Sequence, residues 1–357
     1  MFFSSSFYSD YVGAYACPRQ VLLKRFYGIK PKRLAPHLDM GRQVDAALGD
    51  LISGVDLRSV PVEERVYGTR ALRMAERGLA ALTESGLRPI PSTYQRGIIV
   101  RDFAPGWDGF VGVLDLVCLD ARDNEVLVDI KSVNEVNSGT LWHDTQLQLY
   151  RHALGLPGEM YVGAPFKSEL VHREPTFPVR SCQLQILRAK QGRATLTPSG
   201  KDVSTAMTYC TWDEWAESCR ALGPGPKFDP ARYASKVKPK LDKILWARVV
   251  PHESTETSRR RQWEAARATA YEISARNAEA ADTAAALGID PDEIMLALYP
   301  PKNEVRGARK QRGPGRCNLG AFVDARCELA PHCHAVQDGH QNAPTPNKNL
   351  YTIRKPR

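Results

Sequence analysis

The chain lacks any run of about eighteen apolar residues, so no membrane-spanning helix is expected. Its opening, MFFSSSFYSDYVGAYACPRQ, lacks the basic lead and the continuous apolar stretch of a secretory signal, which makes the cytoplasm the expected compartment. No internal repeat is found. Eight cysteines are present, but in a reducing cytosol they do not make a disulfide framework. Acidic residues are outnumbered: 49 Lys and Arg face 40 Asp and Glu, for a formal net charge of +9. An excess of that sign suits a polyanionic partner such as nucleic acid, although many basic proteins bind nothing acidic.

What is there is an ordinary globular composition over 357 residues, 43% hydrophobic and 25% charged, enough for one large domain or two modest ones. Residues 7–27 read as helical, and HLDMGRQVDAALGDLIS as a helix with Val44, Ala47, Leu48 and Leu51 at helical spacing. Residues 61–86 read as a further amphipathic helix with proline in its first turn and a glycine stop. QRGIIVRDF, GFVGVLDLVCLD and NEVLVDIKSV read as strands, the last two joined as a hairpin through the polar turn DARDN. LWHDTQLQLYRHALG reads as a helix ending at Gly155. This order predicts a mixed α/β core. Residues 156–180 read as an irregular connection, SCQLQILRAKQGRATLTPSG as strand, turn, strand, and residues 211–222 as a short helix. GPGPKFDPARYASKVKPK reads as a basic loop and the alanine-rich segment from Ser254 to Gly288 as one long helix. Residues 335–357 are polar and are expected to be poorly ordered.

Within the apolar VLVDIKS, Asp129 and Lys131 flank Ile130 and share one strand face. Asp129 is the only Asp or Glu followed two residues later by Lys. Asp115 interrupts the preceding strand, and hairpin pairing brings its carboxylate toward that of Asp129. Two carboxylates from separate elements suit a hard cation such as Mg²⁺ or Mn²⁺, with water completing its shell. Lys131 then stands beside a metal-bound water or a phosphate. The competing reading is a surface hairpin with one salt bridge.

GVLD, VDIK and QLQLY, in this order, resemble the PD-(D/E)xK nuclease superfamily in its RecB-like exonuclease branch. The resemblance implies a restriction-endonuclease-like α/β core, with a central mixed sheet flanked by helices and a helical insertion. It implies Asp115, Asp129 and the Ile130 carbonyl as metal ligands and Lys131 as a catalytic residue. Gln146 and Tyr150, four apart on one helix face, would position the scissile phosphate or the strand. SSFYSDYVGAYACPRQ is similar to the branch's opening helix with Cys-Pro. MGRQVDAAL is similar to a helix that usually carries a metal-binding histidine, and here Asp45 stands in its place. Asp45 is either a metal ligand or a plain solvent-facing aspartate.

Cys118 and Cys182 fall in apolar strands and read as small core residues; Cys210 and Cys219 flank TWDEWAES without ligand-like company. Cys317, Cys327 and Cys333 are spaced C-x9-C-x5-C, and three clustered thiols need a fourth ligand. In iron–sulfur members of the branch, such as CRISPR-associated and AddB-type nucleases, one early and three late cysteines hold a 4Fe–4S cluster. Cys17 matches the early position and the final spacing matches the late one, while the first gap is longer than usual. A Zn²⁺ site using His332 or His334, or free cysteines, are the alternatives. Any cluster would be structural, because hydrolysis moves no electrons.

Two basic segments, RRRQWEAARATAYEISAR with Trp263 and Tyr271 interleaved and KNEVRGARKQRGPGR, suit phosphate-backbone contacts; a solvated charged helix and a flexible loop are the alternative. The expected organisation is a nuclease core over 1–222, a basic loop and helical segment over 223–310, a cysteine segment over 311–334 and the tail. The expected function is metal-dependent hydrolysis of DNA, as an exonuclease on ends or single strands in recombination, repair or replication, alongside a helicase or recombinase partner. A catalytically impaired, metal-stapled nucleic-acid-binding subunit is the alternative, and a nuclease for RNA or for a specific site is a third.

Overall fold

The structure is a computed structural model that describes residues 1–12, 18–31, 36–55, 65–137, 139–142, 144–161, 169–178, 180–188, 192–206, 210–299 and 351–353. The chain begins with β1 (Phe2–Ser4), α1 (Ser5–Val12), α2 (Pro18–Val21) with a π-helical turn after it, β2 (Ile29–Pro31) and α3 (Pro36–Ile52). It continues through α4 (Thr69–Glu84), β3 (Arg88–Pro89), β4 (Arg96–Val100), β5 (Gly109–Leu114), β6 (Leu116–Leu119), β7 (Glu125–Val133) and α5 (Thr145–Leu154). Then come β8 (Gly158–Tyr161), β9 (Leu170–Arg173), β10 (Arg180–Leu187), α6 (Trp212–Arg220) and α7 (Ala234–Leu241). The remaining elements are β11 (Ala247–His252), α8 (Glu256–Leu287), α9 (Pro291–Leu298) and β12 (Tyr351–Ile353).

These build an α/β fold with two mixed sheets flanked by helices. One sheet runs β1-β5-β4-β8-β9, parallel between β1 and β5 and antiparallel elsewhere. The other runs β11-β10-β7-β6-β3, parallel between β10 and β7. Among the described residues β12 pairs with β2 alone. Among the described residues no helix is long and apolar enough to cross a membrane.

The single apolar run GFVGVLDLVCL divides at Asp115 and feeds both sheets, β5 into the first and β6 into the second. The expected β6–β7 hairpin is present, with Leu116 opposite Val128 and Leu119 opposite Glu125. Its turn is held by Asp120 Oδ1, which accepts from the main-chain N–H groups of Arg122 (2.8 Å) and Asn124 (3.0 Å).

The second sheet is covered on one face by α3 and α4. Val44, Ala47, Leu48, Ala71 and Met74 join Leu116, Val128, Ile130, Leu184 and Ile186 in one apolar layer, with Cys118 and Cys182 inside it as expected. Burial pushes both thiols up to about 12, so they stay protonated and inert. The first sheet packs with α1, α5 and α8 around an aromatic cluster of Phe3, Phe103, Trp107, Phe110 and Trp263. A third cluster centres on Trp215, Tyr233 and Leu241 and encloses Cys210 and Cys219.

Several expectations are corrected. The helix expected from residue 61 begins only at Thr69; residues 61–64 lie outside the described residues. Tertiary bonds hold the preceding segment out of helix: Tyr67 donates to Asp50 Oδ2 (2.8 Å) and the Gly68 N–H to Gln43 Oε1 (3.2 Å). Residues 156–180 contain a strand pair, β8 and β9, instead of an irregular connection. Gly158 serves close strand approach, because a Cβ there would lie 2.4 Å from the Ile99 carbonyl oxygen. The second strand expected after SCQLQIL is reduced to one bridge between Leu196 and Val203. The basic loop of residues 223–240 contains two 3₁₀ turns, each opened by a proline, and α7. β12 falls inside the tail expected to be poorly ordered. The long helix ends as expected, at Gly288 in the left-handed conformation (φ 66°).

One buried charge locks α5 onto the first sheet. Arg173, 4% exposed at the end of β9, donates to the carbonyls of Leu154 (2.7 Å), Ala153 (2.9 Å) and Leu156 (2.8 Å). It thereby caps the C-terminal turn of α5, where the helix dipole favours a cation. Arg173→Met is expected to lower stability by about 2–3 kcal/mol, through buried carbonyls left without donors. Thermal denaturation measures it; an unchanged midpoint contradicts the capping role.

Candidate functional site

The break between β5 and β6 places Asp115 beside the middle of β7. Its Oδ2 accepts the main-chain N–H of Ile130 at 2.8 Å, and its carboxyl also meets that of Asp129. Gln95, in the left-handed region (φ 51°), donates its N–H to the Asp115 carbonyl (3.0 Å) and holds the break open from the β4 side.

Asp129 and Lys131 project from the face of β7 opposite the α3–α4 layer. Asp129 is 3% exposed. Its Oδ1 accepts from Lys131 Nζ at 2.6 Å and its Oδ2 from Gln183 Nε2 at 2.9 Å. The parallel register sets Gln183 beside Asp129 and Gln185 beside Lys131. Gln185 Nε2 donates to Gln183 Oε1 (2.6 Å), and Gln183 also reaches Asp144 Oδ2 (3.2 Å). Asp144 is the N-cap of α5, its Oδ1 accepting from the Leu147 N–H at 2.9 Å. One polar network therefore ties β7, β10 and the start of α5.

Gln146 and Tyr150, on one face of α5, have different surroundings. Gln146 Oε1 accepts from Lys131 Nζ at 3.2 Å and so belongs to the charged cluster. Tyr150 is buried, its hydroxyl accepting from Ser5 Oγ at 3.1 Å. Its ring lies over Gly112, where a Cβ would come within 2.7 Å of it. The glycine three residues before Asp115 is thus required by the tyrosine four residues after Gln146.

Asp45 is not a plain solvent-facing residue. It is partly buried on α3, its main-chain carbonyl accepts from the Tyr94 hydroxyl, and its carboxyl feels Lys131 and Asp129. Burial first, and then the Asp129 charge, push Asp45 up to about 6 against the pull of Lys131. Burial also raises Asp129 to about 7, with Asp115 adding to the rise and Lys131 opposing it. Asp115 is raised by burial as well, opposed by Lys131 and the Ile130 N–H. Burial works against the Lys131 ammonium, but Asp129 and Asp115 outweigh it and hold its pKa above the usual lysine value.

The structure thus brings Asp115, Asp129, Lys131 and Gln146 together from β7, α5 and the break at Asp115, with Asp45 of α3 near enough to feel the charges of Lys131 and Asp129. Among the described residues no group of three or more His, Cys, Asp or Glu is arranged to hold a metal ion by itself. The donor chemistry nevertheless fits a hard cation: two carboxyls in contact share one ammonium, and a cation that keeps several waters needs only one or two carboxylates. Cys17, Cys317, Cys327 and Cys333, with Cys-flanking His332 and His334, lie outside the described residues. Gln183, Gln185 and Asp144 were not singled out from sequence. The signal was present in CQLQIL, where two glutamines alternate through an apolar strand as Asp129 and Lys131 do.

No protein-family model, no curated protein and no solved structure matches this chain.

The raised carboxyls fix a sign. The folded protein binds their protons more tightly than the unfolded chain, so their stabilising contribution is full below about pH 4. It is lost as pH rises through about 6 for Asp45 and about 7 for Asp129. In chelator, wild type is expected to lose more stability than Asp129→Asn across this window. Thermal denaturation at a series of pH values measures the difference; parallel curves contradict it.

Proposed function

We propose that the chain is a metal-dependent nuclease with a PD-(D/E)xK core that hydrolyses phosphodiester bonds in DNA, as an exonuclease on ends or single strands. The observation that carries this reading is the convergence of Asp115, Asp129 and Lys131 in a hydrogen-bonded, largely sheltered cluster with Gln146 on its rim. A Mg²⁺ or Mn²⁺ ion would be held by Asp115 and Asp129, with the Ile130 carbonyl and Asp45 as further oxygen donors. When bound, the cation supplies a water of lowered pKa and an electrophile for a phosphoryl oxygen.

The chain's own residues do the rest. Lys131 is at once paired and partly exposed, its side chain 39% accessible. Its ammonium can reach a phosphate from the Asp129 side and offset charge that grows on the phosphoryl oxygens. Gln146 and Asp129 hold that ammonium in a fixed direction. Gln183 fixes the second oxygen of Asp129, leaving the carboxylate little freedom to rotate. Burial of Asp129 keeps bulk water from screening the pair. Tyr150 acts through packing, by seating the strand that carries Asp115 under α5. Cys17, Cys317, Cys327 and Cys333 join this proposal as holders of a 4Fe–4S cluster or of Zn²⁺, and iron, sulfide and zinc analysis after anaerobic purification tests them.

Asp129→Ala and Lys131→Ala are each expected to reduce Mg²⁺-dependent degradation of linear DNA by at least about a hundredfold while the protein stays folded. Degradation at the wild-type rate by either variant refutes this site. DNA binding without hydrolysis in Mn²⁺ by the wild type supports instead a catalytically impaired binding subunit.

A further inference from the structure

Where α5 meets the start of α8, two cavities of about 300 and 440 Å³ lie side by side and share Thr255 and Ser258. The smaller begins at Thr145, between Asp144 and Gln146 of the cluster described above, and runs to Arg261. The larger runs to Trp142, Arg151 and Arg180. Ser258 Oγ donates to Gln148 Oε1 at 3.2 Å and joins the two walls.

Trp142 is the unusual member. Its indole is 59% exposed, while the residue before it, Leu141, is pinned by two main-chain bonds at the end of β11. The Leu141 N–H donates to the Pro251 carbonyl (2.8 Å) and the Glu253 N–H to the Leu141 carbonyl (3.0 Å). A solvent-facing aromatic beside arginines is the arrangement that stacks a base while its phosphate is neutralised. The charge along the groove is predominantly positive. Arg151, Arg180 and Arg261 line the two cavities against Glu253, the one carboxylate in the lining; Arg180 also pairs with Asp120 at 3.6 Å.

We infer that this groove is the path of a single-stranded nucleic acid leading to the Asp129–Lys131 cluster, with Trp142 stacking a base and Arg261 contacting the phosphate backbone. A duplex would keep its bases paired and unable to stack on one fixed indole, whereas an unpaired strand exposes them. The inference rests on the proposed function for what happens at the end of the path, but not for binding in the groove.

The test is fluorescence anisotropy of labelled oligothymidylate, oligouridylate and a blunt duplex of equal length, titrated with full-length protein in chelator. Wild type is expected to prefer the single strands. Trp142→Ala should weaken single-strand binding about tenfold with little change in salt dependence, and Trp142→Phe should restore most of it. Arg261→Ala should reduce the salt slope by about one. The two oligonucleotides decide between DNA and RNA. Wild-type affinity in Trp142→Ala, tighter duplex binding, or no binding of any probe overturns the inference. Cleavage separates the two readings: if Trp142→Ala loses binding but Asp129→Ala cleaves normally, the groove stands and the catalytic assignment falls.

Discussion

The site depends on one interaction, the ammonium of Lys131 serving two neighbouring carboxyls, one buried and one partly buried. Asp129 takes it directly at 2.6 Å, while Asp115 feels it from the neighbouring strand. Two carboxylates in contact inside a protein cannot both be ionised at little cost when only one positive charge is shared between them. Burial accordingly drives both upward. The fold holds this unfavourable arrangement in place through backbone: β7 is hydrogen-bonded on both sides, and the break at Asp115 is fixed by Ile130 and Gln95. Stability is spent there on keeping these charges close.

The second sheet has two faces of opposite character because its strands alternate. On β7, Val128 and Ile130 point into the α3–α4 layer, while Asp129 and Lys131 point the other way. On β10, Leu184 and Ile186 share the apolar side, and Gln183 and Gln185 the polar one. A one-residue slip between these parallel strands would set Leu184 against Asp129 and remove the amide that fixes its Oδ2. The apolar face therefore enforces the register on which the polar face relies.

Much of this was readable in the sequence. Asp129 and Lys131 interrupt an apolar strand at period two, and the β6–β7 hairpin follows from the DARDN turn. The division of one apolar run at Asp115 between two sheets was not readable, because each half alone looks like a continuing strand. Gly158 fell within the segment read as an irregular connection, although its role is to admit the Ile99 carbonyl. Trp263 read as part of a basic aromatic surface, yet it is 4% exposed and packed against Phe103 and Phe110. An alanine-rich helix offers little apolar contrast, so its inner face shows only once the partner elements are in place. The partnership of Gly112 with Tyr150 lies between residues far apart in the chain, and only the fold brings the two together.

Trp263 has a consequence for the groove. Trp263, Ala266, Ala270 and Ile273 recur at three- and four-residue intervals and bury one stripe of α8 against the first sheet. That stripe sets the rotation of the helix about its axis. With Trp263 turned inward, Ser258 meets Gln148 of α5, and Arg261 and Gln262 come to line the cavity beside Thr145. His152 of α5 also packs against the Trp263 ring, with centroids 5.2 Å apart. The helix that carries the arginines and the helix that carries Gln146 are thus held together by the aromatic core. The placement of Arg261 on the cavity wall and the position of Gln146 have a common origin in the packing of Trp263.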